Sequence, residues 1–87
     1  MAFRAINVKV SRADTVRNKL VIEQKKMQVG KEVNLRTTFK VDPNAVITAK
    51  DNRSLRFSDV KAGNMVIVDF TKAQEGDLLA KGITVLR

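Results

Sequence analysis

The chain contains no cysteine, no histidine, no tryptophan and no tyrosine, and only one proline. Without cysteine no disulfide staples the fold and no thiolate can serve as nucleophile or metal ligand. The compartment stays open, because cytosolic and exported proteins alike can do without the residue. Without histidine the usual base near neutral pH is missing, and so is the commonest ligand for soft metals. Aromatic surface comes from four phenylalanines alone. No run of residues approaches the ~18–20 apolar positions that cross a bilayer, and the first residues lack the apolar block of a secretory leader. A soluble chain with no transmembrane span and no address of its own is expected.

What is present is enough for one small domain. The chain has 87 residues and an ordinary apolar share of 44%. A domain of this size buries roughly 60–65% of its unfolded-chain surface, which allows a modest core and no deep substrate chamber. Charge is the unusual quantity: 17 Lys and Arg against 9 Asp and Glu, a net +8. It is also uneven. Residues 1–40 carry ten basic and three acidic side chains, a balance of +7; residues 41–87 carry seven and six, a balance of +1. That asymmetry points to a polyanion partner such as nucleic acid, anionic lipid or glycan, although a basic surface also serves plain solubility.

The apolar pattern has period two nearly throughout. Over residues 3–10, Ile6, Val8 and Val10 share one face, the pattern of a half-buried strand; residues 11–18 are polar and turn-like. A second strand over residues 19–25 turns Leu20 and Ile22 inward and Lys19, Glu23 and Lys25 outward. Residues 12–28 also admit a helix, since Ser11 and Asp14 have capping-box spacing and Ala13, Val16, Leu20 and Met27 fall at helical intervals. That template strands Val21 and Ile22 off its stripe, so the strand is preferred. After a turn at Gly30, the residues Val33, Leu35, Thr37, Phe39 and Val41 alternate with polar neighbours as one core-facing edge. Asp42, Pro43 and Asn44 predict a turn, followed by a short strand at Val46 and Ile47.

The stretch from Ser58 to Phe70 organises the remainder. Ser58 is expected to cap a helical turn and Gly63 to supply its left-handed exit. Val66, Val68 and Phe70 then point one way, while Met65, Ile67 and Asp69 point the other. Residues 78–86 close the chain with Ile83 and Val85 inward and Gly82 as a bulge or close-approach point. Five main strands, one or two short ones and one helical turn predict an all-β domain. Its sheet must curl and close to hide its edges. A small barrel of the oligonucleotide/oligosaccharide-binding (OB) type fits first, with an SH3-like barrel as the alternative.

From Phe39 onward the chain resembles a family of small bacterial β-barrel domains of unknown function, found mainly in exported or cell-envelope proteins. The residues that carry the resemblance are Phe39-Lys40-Val41-Asp42, Asn44-Ala45-Val46-Ile47, Leu55, the turn from Ser58 to Asn64, Val66, Val68, Ala80, Ile83 and Val85. The family usually has Asp where Asn64 stands and often Pro where Ala62 stands. The resemblance implies an OB-like barrel and a place at the cell envelope, and it brings no active site. Related periplasmic copper-chaperone barrels bind metal through His and Met. Here His is absent and the only internal methionines are Met27 and Met65, too few for a convergent soft-metal site.

Other chemistry finds little footing. Ser11, Ser54 and Ser58 have no histidine to activate them and no obvious Ser/Lys pair. The nine acids are scattered without calcium-loop spacing. Val29-Gly30-Lys31 has one glycine before a lysine and nothing else of a phosphate loop. The chain is thus expected to be non-enzymatic, with no cofactor and no metal. Two readings stand side by side. One is an interaction module that docks a protein partner through an edge strand or the barrel mouth. The other is weak, sequence-independent binding of single-stranded nucleic acid or another polyanion. On an OB barrel the second would use the wet faces of the second and third strands. Its candidate cations are Lys19, Lys25, Arg36 and Lys40, with Arg4 and Lys9 nearby and Lys26 and Lys31 flanking the connecting turn; Phe3 and Phe57 are the candidate stacking platforms.

Overall fold

A computed structural model describes residues 2–87 as five strands and one turn of 3-10 helix: β1 (Ala2–Asp14), β2 (Lys19–Gln28), β3 (Lys31–Ala49), the 3-10 turn (Phe57–Asp59), β4 (Met65–Lys72) and β5 (Leu78–Val85). Hydrogen bonding runs β1-β2-β3-β5-β4 and returns from β4 to β1, so the sheet closes into a small barrel. Every contact is antiparallel except the parallel pairing of β3 with β5. Closure leaves the ring itself without an open edge, the outcome that alternation on every strand requires. Among the described residues, no helix is long and apolar enough to cross a membrane.

The helical alternative for residues 12–28 is not adopted. β1 runs on to Asp14, and only residues 15–18 form the turn. Ser11 and Asp14 build no capping box. Instead, Asp14 Oδ1 accepts the N–H groups of Val16 and Arg17, at 3.1 and 3.0 Å. A carboxylate locks a tight turn in this way without any helix.

β1 serves two neighbours and bends twice to do so. Ala5 pairs with Val68 and Val8 with Val66, so two residues of β1 face one of β4, and Asn7 takes the left-handed φ of 56°. The bulge resets the alternation. Val8 and Val10 enter the core, whereas Ile6, expected beside them, turns outward and is 63% exposed. A second shift, between Val10 and Arg12 within the β1–β2 pairing that begins at Lys9, places Ala13 against the core.

β2 and β3 form an uninterrupted hairpin from Lys19↔Lys40 to Gln28↔Lys31. β1 accompanies β2 only up to Glu23, and β5 joins β3 only from Lys40. The distal hairpin therefore projects from the barrel as a two-stranded ribbon. Leu20, Ile22, Phe39 and Val41 are buried as expected, but Val33 is only half-buried and Leu35 is exposed because the ribbon has no layer beneath it.

The turn expected at Asp42, Pro43 and Asn44 does not reverse the chain. β3 continues past it, with Val41 paired to Ala80 and Val46 to Gly82, so four residues bulge opposite one. Proline has no N–H to give the ladder, and a bulge is where it can sit inside a strand. Ser58 lies within the 3-10 turn instead of capping it; Asp59 Oδ2 accepts the Arg56 N–H at 2.9 Å. The 3-10 turn ends in the extended Val60, so Gly63 is not its exit as expected; it takes its left-handed φ of 94° in the separate turn before β4 and donates to Val10 O at 2.8 Å. Gly82 is a close-approach point beside the bulge in the β4–β5 pairing: a Cβ there would meet the Asp69 carboxylate at 3.4 Å. The core gathers Val8, Val10, Leu20, Ile22, Phe39, Val60, Val66, Val68, Ala80 and Ile83, all nearly inaccessible. Phe70 is half-buried and meets Phe39 edge-on at 4.8 Å between ring centroids.

Candidate polyanion-binding surface

Side chains directly opposite in an antiparallel pair share a face. Because Leu20 and Ile22 point inward, Lys19, Val21, Glu23, Lys25 and Met27 point outward, as do their partners Lys40, Thr38, Arg36, Asn34 and Glu32. β1 extends the rows: Lys9 lies beside Glu23, Arg12 beside Val21 and Asp14 beside Lys19. One continuous outer face thus carries Lys9, Arg12, Lys19, Lys25, Arg36 and Lys40. Lys26 and Lys31 flank the turn but belong to the ribbon's opposite face, with Val33 and Leu35. Arg4 lies on the β1–β4 side, paired in register with Asp69.

Acidic neighbours divide these cations into two groups. Arg4 Nε contacts Asp69 Oδ1 at 2.6 Å, Lys40 Nζ contacts Asp77 Oδ2 at 2.8 Å, Lys25 lies 3.6 Å from Glu32, and Arg12 lies 3.9 Å from Asp14. The Asp77 hydrogen bond raises the Lys40 pKa above the usual lysine range, and the β4–β5 loop that supplies Asp77 also brings Glu75 near. The turn N–H of Arg17 does most to hold Asp14 below the ordinary carboxylate range. Among the described residues Lys9, Lys19, Lys26, Lys31 and Arg36 form no ion pair. Glu23 stands between Lys9 and Arg36 in register without closing on either.

The two stacking candidates lie elsewhere. Phe3 is 43% exposed, but it pairs in register with Phe70 and stacks on it at 5.5 Å between centroids, on the core side of β1. Phe57 is half-buried in the 3-10 turn and packs against the core. Neither ring shares the face of the free cations. Among the described residues, no three acidic side chains come together as metal ligands.

A broad concavity lies away from this face, where β3 and β5 end and β4 begins. It measures about 850 Å³, and its rim carries Lys50, Arg53, Lys61 and Arg87. Sequence reasoning missed this group because its members are spread over a half of the chain whose charges nearly balance. Only the closure of the ring brings them together. Comparison with protein-family models, curated proteins and solved structures returned no match, so the functional reading rests on the geometry of the chain itself.

Proposed function

We propose that the chain is a non-enzymatic binding module, and that its outer β1–β3 face takes single-stranded nucleic acid or a comparable extended polyanion, weakly and without sequence preference. The observation that carries the reading is that, among the described residues, Lys9, Lys19 and Arg36 have no ion-pair partner and share one continuous face; Lys26 and Lys31, likewise unpaired, lie on the ribbon's opposite face. Phosphate contacts of this kind release counterions and need no base-specific geometry. The ring order, with β3 parallel to β5, supports an OB-type barrel, whose second and third strands offer such a face. Binding is weak because stacking, worth about 1–3 kcal/mol per base, has no platform there. The titration of a labelled oligothymidylate by fluorescence anisotropy at low salt tests this. Replacing Lys9, Lys19 and Arg36 together by Gln abolishes the signal, whereas replacing Arg4 and Lys40 by Gln leaves most of it. An intact protein that gives no anisotropy change ends the proposal.

A second reading is favoured by one specific feature. The Val41 N–H bonds to Asn18 O at 2.7 Å, which fixes the hydrogen-bonding phase of the β2–β3 hairpin. That phase aims the backbone of Glu32, Asn34, Arg36 and Thr38 away from β2, along an edge no strand covers before Lys40. Such an edge suits strand addition by a protein partner. A complex that persists at high salt supports docking, since apolar burial and backbone pairing are not screened.

A further inference from the structure

We propose that the cleft at the β3–β4–β5 end of the barrel is a second, separate site, which binds a phosphoryl or sulfuryl group carried on a small ligand with an apolar body. Its size lies within the roughly 300–1,000 Å³ of small-molecule sites, at about 850 Å³. Leu55 and Val85 supply apolar lining, while Lys50 and Arg53 from the loop after β3 and Lys61 from the turn before β4 add three cations to the wall. Among the described residues none of these three cations has an ion-pair partner. Asp51 and Asp59 also line the wall and keep their charge, each tied into a turn, Asp51 Oδ1 accepting the Arg53 N–H at 3.2 Å and Asp59 Oδ2 the Arg56 N–H at 2.9 Å, so the cations Lys50, Arg53 and Lys61 outnumber them by one.

The backbone beneath the cations is held in advance of any ligand. Ala49 donates to Arg53 O at 2.8 Å and Asn52 donates to Ala49 O at 2.9 Å, which closes the loop that carries Lys50 and Arg53. Asn52 adopts the left-handed φ of 67° to permit it. On the opposite wall Lys61 donates its N–H to Asn64 Oδ1 at 2.7 Å, and Asn64 donates its own N–H to Lys61 O at 3.1 Å. Cations on loops tied down in this way lose less freedom on binding than cations on open loops. Arginine and lysine together suit an anion with several acceptor oxygens, the guanidinium as a fork and the ammonium as a point charge.

An NMR titration of the isotope-labelled protein with inorganic phosphate, and in parallel with a nucleoside monophosphate, tests the site. Saturable shifts confined to amides around residues 49–54, 61–65 and 85–87 are expected, with the nucleotide binding more tightly than phosphate alone. The double variant Arg53→Gln/Lys61→Gln is expected to weaken nucleotide binding by about tenfold or more, with an unchanged urea midpoint and unchanged oligothymidylate binding. Co-sedimentation with phosphatidic acid vesicles, against phosphatidylcholine vesicles, separates the sources of the anion. Vesicle binding that the double variant loses assigns the group to a lipid headgroup; nucleotide binding alone assigns it to a soluble ligand. Absence of saturable binding to all three probes overturns the proposal, as do shifts spread over Lys9, Lys19 and Arg36 or a double variant that binds like the parent.

Discussion

Val29 occupies the first position of a two-residue turn at φ 49°, followed by Gly30 at 74°. Positive φ at both positions is the type I′ geometry that suits the twist of a hairpin, and it favours Asn-Gly over a β-branched residue. The Val29 side chain is fully exposed, so nothing offsets its strain by packing. Val29→Asn is expected to raise the urea midpoint by an amount equivalent to about 1 kcal/mol with an unchanged slope. The shifted titrations of individual groups set the edges of the pH profile. Asp42 is held below the ordinary carboxylate range chiefly by the Lys81 ammonium, so its contribution to stability is present above that range and lost as pH falls through its lowered pKa. Lys40 runs the other way: raised by Asp77, its contribution is present below its usual 10.5 and lost as pH rises beyond it. With no histidine and no cysteine, the denaturation midpoint is expected to stay flat between about pH 5 and 8. A step inside that window would contradict the assignment.

At the scale of single elements the two bulged strands and the projecting ribbon make the sharpest expectations. The bulge at Asn7 puts Ile6 in solvent and Val8 in the core. Ile6→Ser should therefore change stability by less than about 0.5 kcal/mol, whereas Ile22→Ala, at a site 1% exposed, should cost about 2–5 kcal/mol. Chemical denaturation of both variants decides it. The hairpin phase makes a second forecast. Lys25, Met27, Glu32 and Asn34 aim their N–H groups outward and should exchange hydrogen at once, while Lys26, Val33 and Leu35, bonded across the ribbon, exchange more slowly. Period-two alternation made every main strand and the inward Leu20, Ile22, Phe39, Val66, Val68 and Ile83 legible. It could not show where the period is reset, because a bulge at Asn7 or opposite Pro43 leaves no mark in hydropathy. Nor could it show that Val33 and Leu35 lie beyond the reach of β1 and β5, since a strand's own residues do not say where its neighbours stop.

For the molecule as a whole, the fold arranges charge more selectively than the sum of residues suggests. Of the cations in the first 40 residues, Lys9, Arg12, Lys19, Lys25, Arg36 and Lys40 share one outer face while Arg4, Lys26 and Lys31 lie off it, and Asp14, Glu32, Asp69 and Asp77 pair with Arg12, Lys25, Arg4 and Lys40. Two of those acids come from the distant β4–β5 region, so sequence position could not reveal which cations stay free. The cleft bounded by Lys50, Arg53 and Lys61 was likewise invisible, because the end of β5 at Val85 to Arg87 meets these loops only once the ring has closed. The most direct test of the account is the salt dependence of oligothymidylate affinity. With the three free cations of the face in contact, log K against log salt is expected to fall with a slope of about −2. A slope near zero, or a slope that shrinks as much for Arg4 and Lys40 variants as for Lys19 and Arg36 variants, would contradict it.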